Sequence, residues 1–524
     1  MHLVVTRQAD VVLTERERMH MNQSRAVLQQ FVDQRLPVYG VSTQFGDDAH
    51  RVHISGDYDD YLQSLVRRQN NVIQALGCEL GEESTEEIIR ATMLLRIHAL
   101  AQGASGVRPE IVDAILELLR HDILPVLRRY GSVGASGDLI PLSALARVLT
   151  GGHQVRHGGK LLPASEGLRL AGIRPMLLQM KEGLAIVNGT SFSTALAAYA
   201  THKLCHLLPL SIAASAACAE AMRVMDSGYC AFVHESKHHR GSIQIANFVR
   251  LCWENSSLIR SLDALRGEWR DSLLSRGTAA QEHVQDFYSL RSIAQGFGPF
   301  YDDLERAVPW VENEMNSAND NPIIQVKENR IYHGANFLSD YIATICDQLR
   351  ADIAKGSTWM HALLGNLVHP RKNRGLPANL VSDPEEYTGF KTIQLLAASL
   401  AIHNRSRSLP VAAVMLPTEG DNQDMVSLGT HSALDLLEVT ENYARLTGIM
   451  CVAAAQALEL RGIEKAGRVS RDIHAFVRRY VPFLGRDRAL GDELAVLTDA
   501  LWNDASVVVP WFLQGSTGTR EPEI

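Results

Sequence analysis

The sequence has few of the features that mark membrane, nucleic-acid-binding or disulfide-stabilised proteins. Aromatic residues make up 6% of the 524 residues, and no apolar run reaches the roughly 18 residues that a membrane span needs. Basic residues are not in excess, and the formal net charge of -8 argues against a nucleic-acid partner. The seven cysteines are odd in number and form no Cys-x-x-Cys pair, so neither disulfides nor a zinc site are indicated. The N-terminus lacks the layout of a signal peptide, and we expect a cytoplasmic protein with buried thiols.

The residues that are abundant favour helix. Hydrophobic residues make up 46% of the chain and charged residues 21%, a globular balance in which Ala and Leu dominate. The stretch Ser193–Met225 is so apolar that it predicts a buried helix, which Pro209 should kink or break. Further long helices are predicted at about 243–266, 299–316, 336–364, 390–409, 425–462 and 470–480.

The N-terminal part of the chain reads as more mixed. A short strand is predicted before a helix at 16–34, an amphipathic helix at 111–129, and a small hairpin around 151–163. The fold class is therefore mainly α, with a long central helical bundle and a smaller mixed N-terminal domain. We place the domains at 1–200 and 201–524, and we expect residues 514–524 to form a loose tail.

The chain is organised around the block Gly131–Ser143, whose centre is Ala135-Ser136-Gly137. Small residues let the backbone fold back where a Cβ would block it. If the amide nitrogen of Gly137 reaches the carbonyl carbon of Ala135, a five-membered ring closes. Loss of two waters, one carrying the Ser136 hydroxyl, would leave an electrophilic methylidene. The tripeptide alone is uninformative, because Ala104-Ser105-Gly106 repeats it.

The whole block resembles the prosthetic-group signature of the histidine, phenylalanine and tyrosine ammonia-lyases and the related aromatic aminomutases. The resemblance implies that Ala135, Ser136 and Gly137 form a 4-methylidene-imidazol-5-one group (MIO). It also implies the ammonia-lyase (fumarase/aspartase-like) architecture, and a homotetramer with shared active sites and no metal. Residues 1–200 would then carry both the MIO loop and the catalytic tyrosine loop.

Other blocks resemble the same family in the same order along the chain. The loop around Tyr39 implies a base that removes the substrate β-proton, although a phenol needs a lowered pKa for that task. Asn188, in an Asn-Gly-Thr-Ser string, implies hydrogen bonds to the MIO group, and Gln423 implies its support. Tyr288 would lie against the group, and Arg291 would bind the substrate carboxylate.

The positions that would read the substrate match the family less well. Arg68 and Gln69 stand where the resemblance places the pair that selects the side chain, and they suit a hydroxylated or acidic ring better than phenyl. The remaining candidate substrate-binding residues are Phe337, Lys391 and Gln394. Met425 stands where histidine ammonia-lyases have histidine, which counts against histidine as substrate.

The resemblance implies an aromatic amino acid ammonia-lyase that acts on a small-molecule substrate, with tyrosine or phenylalanine favoured. A 2,3-aminomutase remains open, because it differs in how long the unsaturated acid is held. Histidine ammonia-lyase is a further alternative. A non-catalytic helical assembly protein would explain the helices but would leave the small-residue loops without a purpose.

Overall fold

The computed structural model describes residues 1–276, 284–504 and 508–515, and the described part is mainly helical, as predicted. The α-helices are α1 His2–Val5, α2 Glu15–Asp33, α3 Tyr58–Ala75, α4 Glu86–Ala101, α5 Pro109–Arg120, α6 Leu139–Leu149, α7 Ala164–Leu170, α8 Glu182–Val187, α9 Ser191–Ala221, α10 Ala231–Glu235, α11 Arg240–Cys252, α12 Leu262–Arg276, α13 Tyr288–Arg291, α14 Ile293–Met315, α15 Asp340–Val368, α16 Phe390–Ser406, α17 Gly429–Arg461, α18 Arg468–Val477, α19 Gly491–Asn503 and α20 Val509–Gly515.

Seven short strands form three small antiparallel sheets in the described residues. The strands are β1 Leu80–Glu83, β2 Leu124–Pro125, β3 Arg128–Tyr130, β4 Gln154–His157, β5 Lys160–Pro163, β6 Ile323–Gln325 and β7 Arg330–Tyr332. Their orders are β1-β3, β2-β4-β5 and β6-β7. The β4-β5 pair confirms the hairpin predicted around 151–163.

The described chain divides into two compact units. The first contains Met1–Tyr199, Val308–Asp347 and Pro410–Leu437, and the second contains Ala200–Ala307, Gln348–Leu409 and Glu438–Ile524. Each unit is therefore assembled from three separate segments. The division into domains at 1–200 and 201–524 stays a prediction.

The long apolar stretch after residue 190 forms one helix, α9. An 18-residue window within it has a mean hydropathy of 1.4, and 89% of that window is buried in the protein. Length and composition alone would suit a membrane span, but its burial is that of a core helix. The helix continues through Pro209 from Ser191 to Ala221, so of the predicted kink or break, the break is wrong and the kink stays a prediction. A proline removes one backbone donor, which long-range packing of the helix outweighs.

Several local predictions are wrong because tertiary contacts outweigh sequence pattern. The expected N-terminal strand is the helix α1. The helix predicted to continue to residue 129 ends at Arg120, and the chain then enters β2 and β3. The helix expected at 243–266 is divided between α11 and α12.

The remaining predictions concern the tail and the thiols. The predicted loose tail lies mostly outside the described residues. The thiols are not all buried, since Cys78 and Cys230 are exposed.

Candidate active site

Residues 131–138 of the block form a tight turn before α6, and glycine is required at two of its positions. Gly134 has φ +71° and Gly137 has φ +72°, in the left-handed region that favours glycine. A Cβ on Gly137 would lie 2.1 Å from the carbonyl oxygen of Gly189. The two glycine backbones therefore touch directly, and the amide of Asp138 donates to that same oxygen at 2.7 Å.

Asn188 binds the central serine of this turn. Its Nδ2 donates to Ser136 Oγ at 2.8 Å, and both residues are buried. Its Oδ1 is also buried, and it has no hydrogen-bond partner in the part of the chain that the structure describes. A buried amide oxygen left unpaired beside Ser136, in a turn with no room for a Cβ, fits residues arranged around a chemical group made from the turn itself.

Asp138, which directly follows Gly137, is a buried carboxylate. Helix α6 begins after it, but its side chain makes no cap to α6. Instead the carboxylate accepts from the backbone amides of Phe192 and Ser193, at 2.9 and 2.8 Å, at the start of α9. The hydroxyl of Thr430 also donates to it, at 2.5 Å. Burial raises the pKa of Asp138, and the hydrogen bonds from Ser193, Thr430 and Ser132 oppose that rise.

A second segment holds the turn from its other side. The amide of Leu428 donates to the Val133 carbonyl at 3.2 Å, and Ser427 Oγ donates to the Gly134 carbonyl at 3.2 Å. Gln423, four residues earlier, lies in a turn where its Oε1 accepts from Thr418 Oγ1 at 2.5 Å. The segment that carries Gln423 is therefore tied through Ser427 to the turn around Ser136, called the serine turn below.

The loop that carries Tyr39 is fastened at several points. Val38 and Val41 are buried in a hydrophobic cluster with α2 and α3. Gln69, on α3, donates from Nε2 to the Gly40 carbonyl at 2.7 Å and accepts from the Leu184 amide at 2.9 Å. Both ends of the Gln69 amide are thus used on the backbone. In this structure Gln69 positions the tyrosine loop, and its part in substrate binding stays a prediction.

The surroundings of the Tyr39 hydroxyl do not favour its ionised form. The hydroxyl accepts from the Gly46 amide at 2.9 Å. Burial raises the pKa of Tyr39, the Gly46 hydrogen bond lowers it, and the negative charge of Glu419 raises it. The Glu419 carboxylate packs on Gly46, where a Cβ would lie 1.6 Å from Glu419 Oε2. A carboxylate thus lies next to the proposed base, which the sequence did not indicate.

Arg68 is placed near a second unpaired polar group. Its Nη1 and the hydroxyl of Tyr61 are both buried, and neither has a hydrogen-bond partner within the described ranges. Burial lowers the pKa of Arg68, and the nearby Tyr61 opposes this. A half-buried guanidinium with an unused donor suits an anionic or hydroxylated group.

Tyr288 and Arg291 belong to the second unit and lie together. The Arg291 guanidinium carbon lies 4.7 Å from the centre of the Tyr288 ring, and the ring is 73% exposed. The segment is anchored at Asp286, which pairs with Arg374 and accepts from the Met225 amide at 2.7 Å. Tyr288 is therefore exposed on the surface of this unit, whereas Arg291 beside it is half-buried and donates from Nη1 to Gln285 Oε1.

The other predicted substrate residues are less defined by contacts. Lys391 and Gln394 lie on α16, where Lys391 is exposed and Gln394 is half-buried. Phe337, in the first unit, is half-buried before α15. Their roles stay predictions. No group of three or more His, Cys, Asp or Glu side chains that could hold a metal ion is found among the residues that the structure describes.

Comparisons with known proteins agree with this description. A family model described as aromatic amino acid lyase matches residues 1–479. A histidine ammonia-lyase of Geobacillus sp. (strain WCH70) is 32% identical over 513 residues, covering 98% of this chain and 96% of the relative. A tyrosine 2,3-aminomutase of Myxococcus sp. (strain Mx-B0) is 33% identical over 479 residues, covering 91% of this chain and 90% of the relative.

A solved structure shows the same architecture over the whole length. The tyrosine aminomutase from Streptomyces globisporus superposes with a TM-score of 0.89 at 30% identity, covering 99% of this chain and 97% of that one. The match confirms the predicted fold, and the family match confirms the predicted enzyme class, an ammonia-lyase. On both its sequence and its fold, this chain belongs to the aromatic amino acid lyase family.

Proposed function

We propose that this protein eliminates ammonia from an L-aromatic amino acid, with tyrosine or phenylalanine favoured, and releases an α,β-unsaturated aryl acid. The electrophile is an MIO group made from Ala135, Ser136 and Gly137. One observation carries the proposal: the buried Asn188 amide donates to Ser136 Oγ at 2.8 Å, in a turn where Gly137 lies against Gly189. The hydroxyl that must leave is thus held by a donor, which stabilises departing oxygen.

The ring closure is chemically balanced within these three residues. The Gly137 nitrogen forms a bond to the Ala135 carbonyl carbon. The Ala135 oxygen leaves as water with the hydrogens of the Gly137 and Ser136 amides, which leaves a carbon–nitrogen double bond. The Ser136 hydroxyl leaves as a second water with the Cα hydrogen, which creates the methylidene. No oxidant, metal or added cofactor is needed.

Once formed, the MIO group supplies an electrophile for the substrate amine. The chain's own residues then have separate tasks. Tyr39 removes the β-proton, Asn188 donates hydrogen bonds beside the group, and Arg291 holds the substrate carboxylate in a bidentate pair. Tyr288 and Gln423 support the group. Residues proposed to contact the rest of the substrate are Arg68, Gln69, Phe337, Lys391 and Gln394.

A 2,3-aminomutase is the second candidate, and the similarity to tyrosine aminomutases over nearly the whole chain favours it. Such an enzyme returns the amine to the β-carbon before the unsaturated acid leaves. A histidine ammonia-lyase is the third, favoured by a similar relative and opposed by Met425. The unpaired Arg68 donor supports a substrate whose ring carries a hydroxyl or an acid.

We also propose that four copies assemble and share their sites. Helix α16 leaves apolar side chains in water, with Leu395 69% and Ile402 64% exposed in the single chain. Contiguous exposed apolar residues mark surfaces that another chain covers.

The test is an assay of purified protein with L-tyrosine, L-phenylalanine and L-histidine, each alone. We would follow the absorbance of the unsaturated acid, free ammonia, and any β-amino acid by mass. Ammonia with an unsaturated aryl acid supports the lyase and identifies its ring. A β-amino acid with little ammonia supports the aminomutase. If none of the three amino acids gives a product, and the serine-turn peptide has lost no water, the proposal is refuted.

Replacing Glu419 with glutamine should shift the pH dependence of the reaction. Removing this negative charge lowers the pKa of Tyr39. Because the base acts when deprotonated, the rise of kcat/KM with pH should begin at lower pH. At neutral pH we expect a modest increase in kcat/KM, because Glu419 is the smallest of the three influences on the pKa of Tyr39 and a lower pKa leaves more of the base ionised.

Asp421→Asn is the matched control for this change, because Asp421 is an exposed carboxylate two residues away in the same turn. It should leave the pH profile in place. An unchanged profile in Glu419→Gln, or an equal shift in the control, would count against a direct effect of Glu419 on Tyr39.

A further inference from the structure

Arg96 is a buried cation directly behind the residues that hold the serine turn. It lies on α4 and is fully buried. Its Nη1 donates to the Asn188 carbonyl at 2.9 Å, and its Nη2 donates to Asn319 Oδ1 at 3.2 Å. A Cβ on Gly189 would lie 2.2 Å from Nη1. The guanidinium therefore packs against the backbone of both Asn188 and Gly189.

This charge is costly to keep in the interior. Burial lowers the pKa of Arg96 to about 10, and the carboxylates of Asp320 and Asp138 oppose the shift. The side chain is therefore still cationic at neutral pH. Its Nε has no hydrogen-bond partner among the residues described. Since an apolar side chain would often fill such a space at no loss of stability, packing alone does not explain an arginine here.

Two connections lead from Arg96 to the reacting atoms. Through Asn188, whose carbonyl it binds, it reaches the Nδ2 that donates to Ser136 Oγ at 2.8 Å. Through Gly189, against which it packs, it reaches the carbonyl that accepts from the Asp138 amide at 2.7 Å. The Ser136 hydroxyl and the Gly137–Asp138 peptide are thus both hydrogen-bonded to the Asn188-Gly189 segment, which Arg96 contacts.

We infer that Arg96 is a positioning residue for ring closure: it fixes Asn188 and Gly189 so that the Ser136 hydroxyl meets its donor and the turn stays compressed. The inference rests on the proposed function, because it requires the ring to form from Ala135, Ser136 and Gly137. Within the described structure the hydrogen bonds of Arg96 go to Asn188 and Asn319 rather than to these three residues. It acts through the backbone of the Asn188-Gly189 segment.

The experiment compares Arg96→Met and Arg96→Lys with the same changes at Arg90. Arg90 is the matched control, because it lies on the same helix, is 5% exposed, and donates to the carbonyls of Val4 and Val5, at 2.8 and 3.1 Å. In each full-length protein, the serine-turn peptide is followed by mass after translation is stopped, as the fraction that has lost two waters. The midpoint of thermal denaturation is measured on the same samples.

We expect Arg96→Met to slow ring closure about 10-fold or more, the usual effect of losing a charge-assisted hydrogen bond. Arg96→Lys should fall between Arg96→Met and the unchanged protein, since it keeps the charge but not the planar fork. Both Arg90 variants should close the ring at the normal rate. If Arg96→Met does not fold, a folded Arg96→Lys with slowed closure supports the inference and one with normal closure overturns it.

Two other results would overturn the inference. One is a folded Arg96→Met protein that loses both waters at the normal rate. The other is an equal delay in the Arg90 and Arg96 variants at equal thermal destabilisation, since that would be a general loss of stability. If the serine-turn peptide of the wild-type protein has not lost two waters, the MIO proposal itself is refuted. A failure of the inference about Arg96 and a failure of the proposed function are therefore distinguishable.

Discussion

Ser136→Ala should reduce kcat by roughly 10³-fold or more, the scale of losing a group that forms a covalent bond to the substrate. Alanine has no hydroxyl to eliminate, so no methylidene can form. The turn peptide should therefore not show the loss of two waters. The mass of this peptide and the rate of unsaturated-acid formation check the two halves of the prediction.

The chain carries its own control for this change. Ser105 is the centre of a second Ala-Ser-Gly, is 1% exposed, and is followed by Gly106 with φ +69°, close to the +72° of Gly137. Ser105→Ala should leave both the activity and the mass change of the Ser136 turn near normal. The two tripeptides share sequence, burial and the glycine backbone, and they differ in that Asn188 binds only the second serine in the described structure. Activity retained in Ser136→Ala, or lost equally in Ser105→Ala, would contradict the assignment.

The alanine variant must also be shown to fold. Relative to the unreacted turn, removing the hydroxyl leaves the buried Asn188 Nδ2 without its acceptor, which costs about 1–3 kcal/mol. That loss is below the roughly 5–15 kcal/mol by which most domains are stable, so we expect the variant to fold with a lowered midpoint of denaturation. A cooperative thermal transition in Ser136→Ala would therefore assign the lost activity to the missing electrophile.

The serine turn was predictable from sequence because its information is local. Its glycines and the Ala-Ser-Gly tripeptide all lie within residues 131–137, and the need for glycine at 134 and 137 follows from positive φ and close backbone approach. The long helices were also predictable, because apolar periodicity is a local signal. Their ends were less so, as the early end of α5 at Arg120 shows.

The support of the turn was not predictable, because its parts are distant in sequence. The carboxylate of Asp138 is bound by residues 55 and 292 positions away. Arg96 had one available signal, an arginine among the apolar residues of the stretch that forms α4, but its partner Asn188 lies 92 positions away. Gln69 was predicted to face the substrate, yet the folded chain uses its amide on the backbone of Gly40 and Leu184. Residue type indicated polarity at these positions, and only the tertiary structure identifies the partners.

Tyr39→Phe should reduce kcat by about 10²- to 10⁴-fold, the contribution of a positioned general base. The ring keeps its half-buried place, so the loop should stay folded and KM should change little. The turn peptide should still lose both waters, because Tyr39 takes no part in ring closure. The residual activity should also lose its rise with pH, since the group whose pKa is raised by burial and by Glu419 is gone. A pH profile of kcat and the peptide mass check these expectations.

Tyr61→Phe is the matched control for the tyrosine. Tyr61 packs in the same hydrophobic cluster as Val38 and Val41, and its buried hydroxyl has no hydrogen-bond partner in the described part of the chain. Removing that hydroxyl leaves no acceptor or donor unpaired, so activity and stability should stay near normal. Paired with Ser136→Ala, the comparison separates two causes of an inactive enzyme: loss of the electrophile abolishes the mass change, whereas loss of the base leaves it complete. A Tyr39→Phe protein with kcat within about threefold of normal would assign proton removal to another group.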